Sequence, residues 1–308
     1  MNPTLKIGTR ESELAVWQAT QVQTLLKENE FSSELIYIKS EGDVDTVTPL
    51  YELGVQGIFT KTLDAALLNN KVDIAVHSMK DVPTQLAKGI RQAAILKRAS
   101  YKDILVYKEG KDFLEDKNSV ATIATSSIRR KAQWLNKYPN HSIENLRGNV
   151  NTRLKKVYEN NWNGAIFAAA GLERINLRPK NSVDLEWMLP SPAQGAIMIV
   201  CREDDQISFE ACKVFNDTDT ALCTKLERDF LRTLLGGCST PISALAEVIK
   251  DKIFFKGNIC SPDGKEKIEI EKKIQKQDSE KLGINAANEI LIDTRAQNII
   301  HSIRNEKS

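Results

Sequence analysis

Cys238 lies in the stretch Leu234-Leu235-Gly236-Gly237-Cys238-Ser239-Thr240-Pro241. Glycine carries no side chain, so another molecule can approach the backbone closely there, and a thiol at the tip of such a loop is placed to react. The plainer alternative is a small buried hydrophobe, the usual fate of a free cysteine. The loop alone leaves both open, because reactivity depends on a local pKa. A second group of residues has a shared position. Ile7-Gly8 runs into Thr9-Arg10-Glu11-Ser12, and Val76-His77 into Ser78-Met79-Lys80-Asp81-Val82-Pro83. Ala124 runs into Thr125-Ser126-Ser127-Ile128-Arg129-Arg130, Leu146 into Arg147-Gly148-Asn149-Val150-Asn151-Thr152-Arg153, and Ala168-Ala169-Ala170 into Gly171-Leu172-Glu173-Arg174. In open α/β sheets, ligands bind outside the carboxyl ends of the strands.

Arg129, Arg130 and Arg153 fall in the first turns of helical segments, where the helix dipole disfavours cations. An anion between them and the exposed N–H groups makes the arrangement tolerable. Guanidinium also matches a carboxylate in two-pronged fashion. One such contact at about 4 Å has a Coulomb energy of roughly 4 kcal/mol at an effective dielectric of about 20, before desolvation. Any one of these arginines reads as half of a surface ion pair. Arg10, Arg129, Arg130, Arg147, Arg153 and Arg174 together point to a site for several carboxylates or phosphates. Asp81 is the acid among them, beside Lys80 and stiffened by Val82-Pro83. Surrounded by cations it stays ionised and can hold a cationic group or N–H donors; its plainer role is to cap a loop. His77 reads as a hydrogen-bonded core histidine.

The elements that must position these residues alternate. Thr4–Thr9, Glu34–Lys39, Val72–His77 and Ile90–Leu96 read as strands; Glu13–Glu28 and Phe59–Asn70 read as helices, the first with Leu14, Trp17, Gln21 and Leu25 along one stripe. The pattern restarts with strands at Ile104–Tyr107, Val120–Thr125, Ser142–Leu146 and Ala165–Ala169 and helices at Ser127–Lys137 and Asn151–Asn160. Both units predict α/β architecture with mostly parallel sheets. Pro190 to Gly195 is a Pro/Gly-punctuated linker, after which Ala196–Cys201 forms an apolar strand that returns to the first unit. Asp219–Leu235 is a long helix. Beyond Cys238, strands at Ile242–Ile249, Lys252–Ile259 and Lys267–Ile274 turn at Pro262-Asp263-Gly264, and Lys276–Leu291 and Ala296–Arg304 read as helices. The expected domains are 1–98 with 196–216, then 99–195, then a small α+β domain at 217–308.

The 308 residues suit two or three domains, and 41% hydrophobic with 27% charged residues is ordinary for a globular protein. No apolar run has the length of a membrane span, and the N-terminus has no signal-peptide pattern. Five scattered cysteines give neither a disulfide framework nor zinc-type spacing, which points to a reducing cytoplasm and to no metal. A net charge of +2 provides no global field for nucleic acid.

Taken together the segments resemble the porphobilinogen deaminase (hydroxymethylbilane synthase) family over almost the whole chain. The resemblance is carried by Ile7–Ser12, Val72–Thr84 (VDIAVHSMKDVPT), Thr125–Gln133 (TSSIRRKAQ), Leu146–Leu154 (LRGNVNTRL), Ala168–Ile175 (AAAGLERI), Pro192–Ala196 (PAQGA) and Leu234–Ile242 (LLGGCSTPI), in that order. It implies two periplasmic-binding-protein-like α/β domains forming a cleft, plus the small C-terminal domain. It implies a dipyrromethane cofactor joined by a thioether to Cys238, onto which four porphobilinogens are condensed head to tail. Each loses ammonia, leaving an electron-poor azafulvene-type species for attack, and water releases hydroxymethylbilane. Every pyrrole brings an acetate and a propionate, which accounts for the arginines. Asp81 matches the family's catalytic acid. Ser78, Lys80, Asp81, Thr125, Ser127, Arg129, Arg130, Arg147, Gly148 and Arg153 would hold the cofactor. Arg10, Ser12, Phe59, Arg147, Arg153, Arg174 and Gln194 would meet the substrate or the growing chain. A monomer is expected, with no nucleic-acid or membrane partner. One departure is Gln56, in Gly54-Val55-Gln56-Gly57-Ile58-Phe59, where many relatives carry lysine; glutamine donates a hydrogen bond but has no charge. A non-catalytic solute-binding protein would share the two α/β lobes but needs neither a reactive cysteine nor a third domain. An RNA- or phosphate-binding protein fits poorly with near-neutral charge.

Overall fold

The structure, a computed structural model, describes residues 3–39, 60–234 and 240–305. Cys238, Gln56 and Phe59 lie outside the described residues. The first sheet contains β1 (Leu5–Thr9), β2 (Ser33–Tyr37), β3 (Ile74–Ser78), β4 (Ile90–Ile95) and β10 (Ile197–Arg202), in the order β2-β1-β3-β10-β4. β1 pairs in parallel with β2 and β3, whereas β10 runs antiparallel to both β3 and β4. The second sheet repeats this plan with β5 (Asp103–Tyr107), β6 (Thr122–Ala124), β7 (Ser142–Glu144), β8 (Gly164–Ala168) and β9 (Ser182–Asp184), in the order β7-β6-β8-β5-β9. Here β5 is the antiparallel strand, against β8 and β9. In each sheet the reversed strand is the first one the chain forms after leaving the other sheet. The backbone therefore crosses between lobes twice, and the two crossings lie side by side: Leu96 N donates to Ile197 O at 3.0 Å and Ala99 N to Gly195 O at 3.1 Å. Gly195 has φ +88°, and a Cβ there would sit 2.7 Å from Ser100 O, so this close approach requires glycine.

β3 and β10 are apolar and buried almost throughout, as expected for strands covered on both faces. Helix α1 (Glu13–Glu28) buries Gln18, Ala19, Val22 and Leu26, not the Leu14–Trp17–Gln21–Leu25 stripe that the sequence suggests. Leu14 lies at Gly171 of the other lobe, and Trp17 packs partly on the first lobe's own core with its ring beneath Arg174, 5.6 Å from the guanidinium carbon. Among the described residues the remaining α-helices of the two lobes are α2 (Lys61–Leu68), α3 (Ile128–Lys137), α4 (Val150–Glu159), α5 (Ala169–Glu173) and α6 (Gln206–Lys213). α6 was not apparent in the sequence; Asp205 caps it, accepting from Ser208 N at 3.0 Å.

The third sheet, β11 (Ile242–Ile249), β12 (Lys252–Cys260) and β13 (Lys267–Gln275), is antiparallel. Helix α7 (Thr218–Thr233) covers it, with Leu226 and Phe230 in a core with Phe255 and Ile259. The stretch expected as one helix over Lys276–Leu291 is a short 3-10 turn, Lys276–Asp278, followed by α8 (Leu282–Ile290), and the last helix among the described residues is α9 (Thr294–Asn305). Leu282 N donates to Ser279 O and Ser279 Oγ to Lys276 O, so turn bonding replaces the helix there. Gly283 then lets α8 press against the Leu226 backbone of α7. Among the described residues no helix is long and apolar enough to cross a membrane.

Candidate active site

Asp81 ends a short 3-10 turn, Met79–Asp81, that leaves β3. Met79 is buried and its N–H donates to Ala196 O at 3.0 Å, fixing the start of the turn. The other side is fixed from the third unit: Arg228 on α7 donates to Val82 O at 2.8 Å and Pro83 O at 2.6 Å. Lys80 Nζ donates to Gln194 Oε1 at 3.3 Å. Burial pushes the Lys80 ammonium down to about 8; Asp81 and Asp103 oppose this, while Arg130 and Arg129 add to it.

Asp103, the first residue of β5, has no solvent exposure. Its carboxylate lies 2.7 Å from Arg129 Nη2 and 2.7 Å from Arg130 Nη2, and accepts from Gln194 Nε2 at 2.9 Å. Burial works against its ionisation, but the two guanidiniums outweigh that and hold its carboxyl below the usual range. Arg129 also donates to Leu189 O at 2.8 Å and Arg130 to Ile166 O at 2.9 Å. Asp103 thus supplies, within the chain, an anion for two cations at the start of α3. Gln194 bridges Lys80 of the first lobe to Asp103 of the second, from the returning crossing segment.

Arg153 lies in the first turn of α4 and donates through Nε to Gly148 O at 2.7 Å. Gly148 has φ +112°, and a Cβ there would lie 2.8 Å from Thr152 Cγ2, so glycine lets this loop fold back. Burial brings Arg153 down to about 10, with Arg130, Arg147 and Arg10 adding to the effect and Asp81 opposing it. Arg10, Arg130, Arg147, Arg153 and Asp81 therefore share one electrostatic field, with Lys80 tied in through Asp81 and Arg130. The starts of α1 and α4 meet here, where Asn151 Nδ2 donates to Glu13 Oε2 at 2.7 Å.

The other expected residues occupy defined places. Ser12 is the N-cap residue of α1 without a side-chain cap bond. Ser78 Oγ bonds the Gln18 amide at 2.9 Å. Thr125 Oγ1 accepts from Ser127 N at 3.2 Å, and Ser127 caps α3 by accepting from Arg130 N. Arg174 donates to Gly195 O at 2.7 Å, beside Trp17. Asp103, Gln18 and Arg228 were not singled out in the sequence; the one available signal was an acid opening the apolar run Asp103–Tyr107.

His77 is buried, and desolvation followed by the charge of Arg10 pushes its imidazole from 6.5 down to about 4. The unfolded chain takes up the proton first, so the neutral ring contributes stability fully above pH 6.5, and this is lost as pH falls toward about 4. At about 1.4 kcal/mol per unit, the loss reaches about 3 kcal/mol. The melting temperature of His77→Gln should accordingly fall less steeply than that of the parent over this range; parallel acid limbs would remove His77 as the cause.

The two like α/β lobes place a cation-rich centre with one turn-borne carboxylate between them, a donor set of the kind that suits a ligand with several carboxylates. Residues 5–210 match the family model described as porphobilinogen deaminase, dipyromethane cofactor binding domain, and residues 221–292 match the porphobilinogen deaminase C-terminal domain. The chain is 39% identical over 292 residues to porphobilinogen deaminase of Campylobacter hominis, covering 93% of this chain and 94% of that protein. It is 38% identical over 299 residues to porphobilinogen deaminase of Chlorobium phaeobacteroides, covering 94% and 95%. The chain belongs to the porphobilinogen deaminase family, and is an enzyme of its transferase class. Among solved structures, the methionine binding protein MetQ overlaps with a TM-score of 0.43 at 13% identity, over 71% of this chain and 92% of that one; so loose an overlap says nothing of what this chain does. The donor set fits a dipyrromethane, whose rings carry acetate and propionate groups: Lys80, Arg10, Arg130, Arg147 and Arg153 share a centre with Asp81 and Asp103.

Proposed function

We propose that this enzyme condenses porphobilinogen units head to tail, with loss of ammonia, and releases hydroxymethylbilane by hydrolysis. A dipyrromethane held on Cys238 through a thioether supplies, when bound, the electron-rich ring carbon at which the chain is extended. The observation that carries this reading is the match of residues 5–210 to the dipyrromethane cofactor binding domain, together with the bonded cluster beside Asp81 in which Gln194 joins Lys80 to Asp103 and Asp103 holds Arg129 and Arg130. Asp81 faces pyrrole N–H groups and stabilises positive charge as it develops on the ring, the kind of preorganised interaction that acts most strongly away from bulk water. Lys80, Arg147 and Arg153 hold carboxylates, and Arg129 and Arg130 retain binding capacity because one carboxylate, Asp103, serves both. Ser78, Thr125, Ser127 and the Gly148 backbone complete the cofactor cradle. Arg10, Ser12, Phe59 and Arg174 receive substrate or the growing chain together with Arg147 and Arg153. Gln194 acts there by keeping Lys80 in place.

The same reading takes the three sheets as three domains, 1–98 with 196–216, 99–195 and 217–308, and the protein as a cytoplasmic monomer. Its direct test is the intact mass of the denatured protein. The mass should exceed the sequence value by two condensed porphobilinogen units, and Cys238→Ser should return it to the sequence value. A Cys238→Ser protein that still carries the adduct would move the attachment elsewhere. A parent protein that gains no adduct even after incubation with porphobilinogen would end the reading.

A further inference from the structure

Arg228 reaches from the third unit into the first lobe. Its guanidinium donates to Val82 O at 2.8 Å, to Pro83 O at 2.6 Å and more weakly to Met79 O at 3.4 Å. These carbonyls bracket Lys80 and Asp81 in sequence, one before them and two after. The turn closes through Val82 N, which donates to Met79 O at 3.1 Å, and the planar five-donor guanidinium takes the carbonyls that follow it. The residue just before it, Glu227, is fully buried. Glu227 takes Arg98 Nη1 at 2.6 Å and Ala193 N at 2.7 Å from the two crossing segments, and Ala246 N at 2.8 Å from β11. Consecutive residues of α7 therefore pin the crossings between the lobes and the turn that bears Asp81. α7 ends at Thr233, and Cys238 lies ten residues beyond Arg228 in the sequence.

We infer that Arg228 is a positioning residue for catalysis: it locks the Lys80–Asp81 turn to the helix that leads into the cofactor cysteine, so that Asp81 keeps its register with the reacting rings. This inference rests on the reading of Asp81 and Cys238 given above. A guanidinium that only stabilised the fold would alter the yield or melting of the protein, not the rate of each loaded molecule. A displaced turn lowers that rate, because a misplacement of about 1 Å can cost on the order of 10²-fold.

The test compares the parent enzyme, Arg228→Ala and Arg228→Lys, with turnover expressed per cofactor-bearing molecule as counted by intact mass. Arg228→Ala should keep the cofactor mass, lose about 10- to 100-fold in kcat and change KM by less than about threefold. Arg228→Lys keeps the charge but not the fork, and should recover part of the loss. If Arg228→Ala fails to fold, a kcat reduced by about 3- to 10-fold in cofactor-bearing Arg228→Lys carries the same conclusion. Parental kcat per loaded molecule in the folded variants would overturn it, whatever their melting temperatures. A parent enzyme without cofactor mass would instead fail the reading of the site, and the inference would fall with it.

Discussion

Asp81→Asn is expected to abolish turnover while leaving the fold intact, with kcat falling by about 10³-fold, the scale on which removing one preorganised charge-stabilising group acts. Asparagine preserves the shape of aspartate and can still accept hydrogen bonds, so Met79 stays buried and Arg228 keeps its carbonyl partners on the turn. What disappears is the negative charge beside Lys80 and Arg153, which the proposed role sets against the ring nitrogens. The loss also reaches Lys80, whose ammonium is already down to about 8 and is held up partly by Asp81. In the variant it titrates lower still. If Lys80 takes a cofactor carboxylate, uptake of the cofactor by the cofactor-free protein should weaken as pH rises through about 8 in the parent and at a lower pH in Asp81→Asn. Steady-state kinetics measure the loss of turnover and cofactor uptake across pH measures the second effect, with far-ultraviolet dichroism as the control for folding. Near-parental kcat in a folded Asp81→Asn protein would take Asp81 out of the chemistry.

The lobes were legible because strands such as Ile74–Ser78 are nearly continuous apolar runs and because the periodic segment Glu13–Glu28 is helical from end to end. Of the six arginines grouped by their positions at strand ends, Arg10, Arg129, Arg130, Arg147 and Arg153 come together near Lys80 and Asp81, whereas Arg174 bonds Gly195 O and has Glu173 as its neighbouring charge. What stayed hidden depends on partners far away in sequence. Asp103 opens an apolar strand and looks like a solvated strand end, yet its partners come from α3 and from Gln194, 91 positions on. Arg228 sits on an amphipathic helix, where an arginine reads as exposed surface; its partner Val82 is 146 positions away. The buried face of α1 was misjudged for a related reason. Leu14 meets the second lobe at Gly171, and Trp17 shares its ring between the first lobe's core and Arg174; period alone does not tell an interior from an interface.

Asp103 also tests how the cation cluster is balanced. Asp103→Ala leaves Arg129 and Arg130 buried beside Lys80 without the carboxylate that now touches both arginines. Removing one partner of a buried ion pair costs about 3–5 kcal/mol, because the remaining charge stays desolvated and uncompensated. At a few degrees per kcal/mol, the melting temperature of the cofactor-free protein should fall on the order of 10 °C. A polycarboxylate bound in the same centre brings the missing negative charge. Loading with the cofactor should therefore stabilise Asp103→Ala more than it stabilises the parent, and calorimetry of both proteins before and after incubation with porphobilinogen measures the difference. If the gain on loading is equal in the two proteins, the bound carboxylates do not reach Arg129 or Arg130, and those arginines belong to Asp103 alone. A larger gain in the variant places both arginines within reach of the ligand, with Asp103 serving in its absence as the counter-ion that lets two cations sit at the start of one helix.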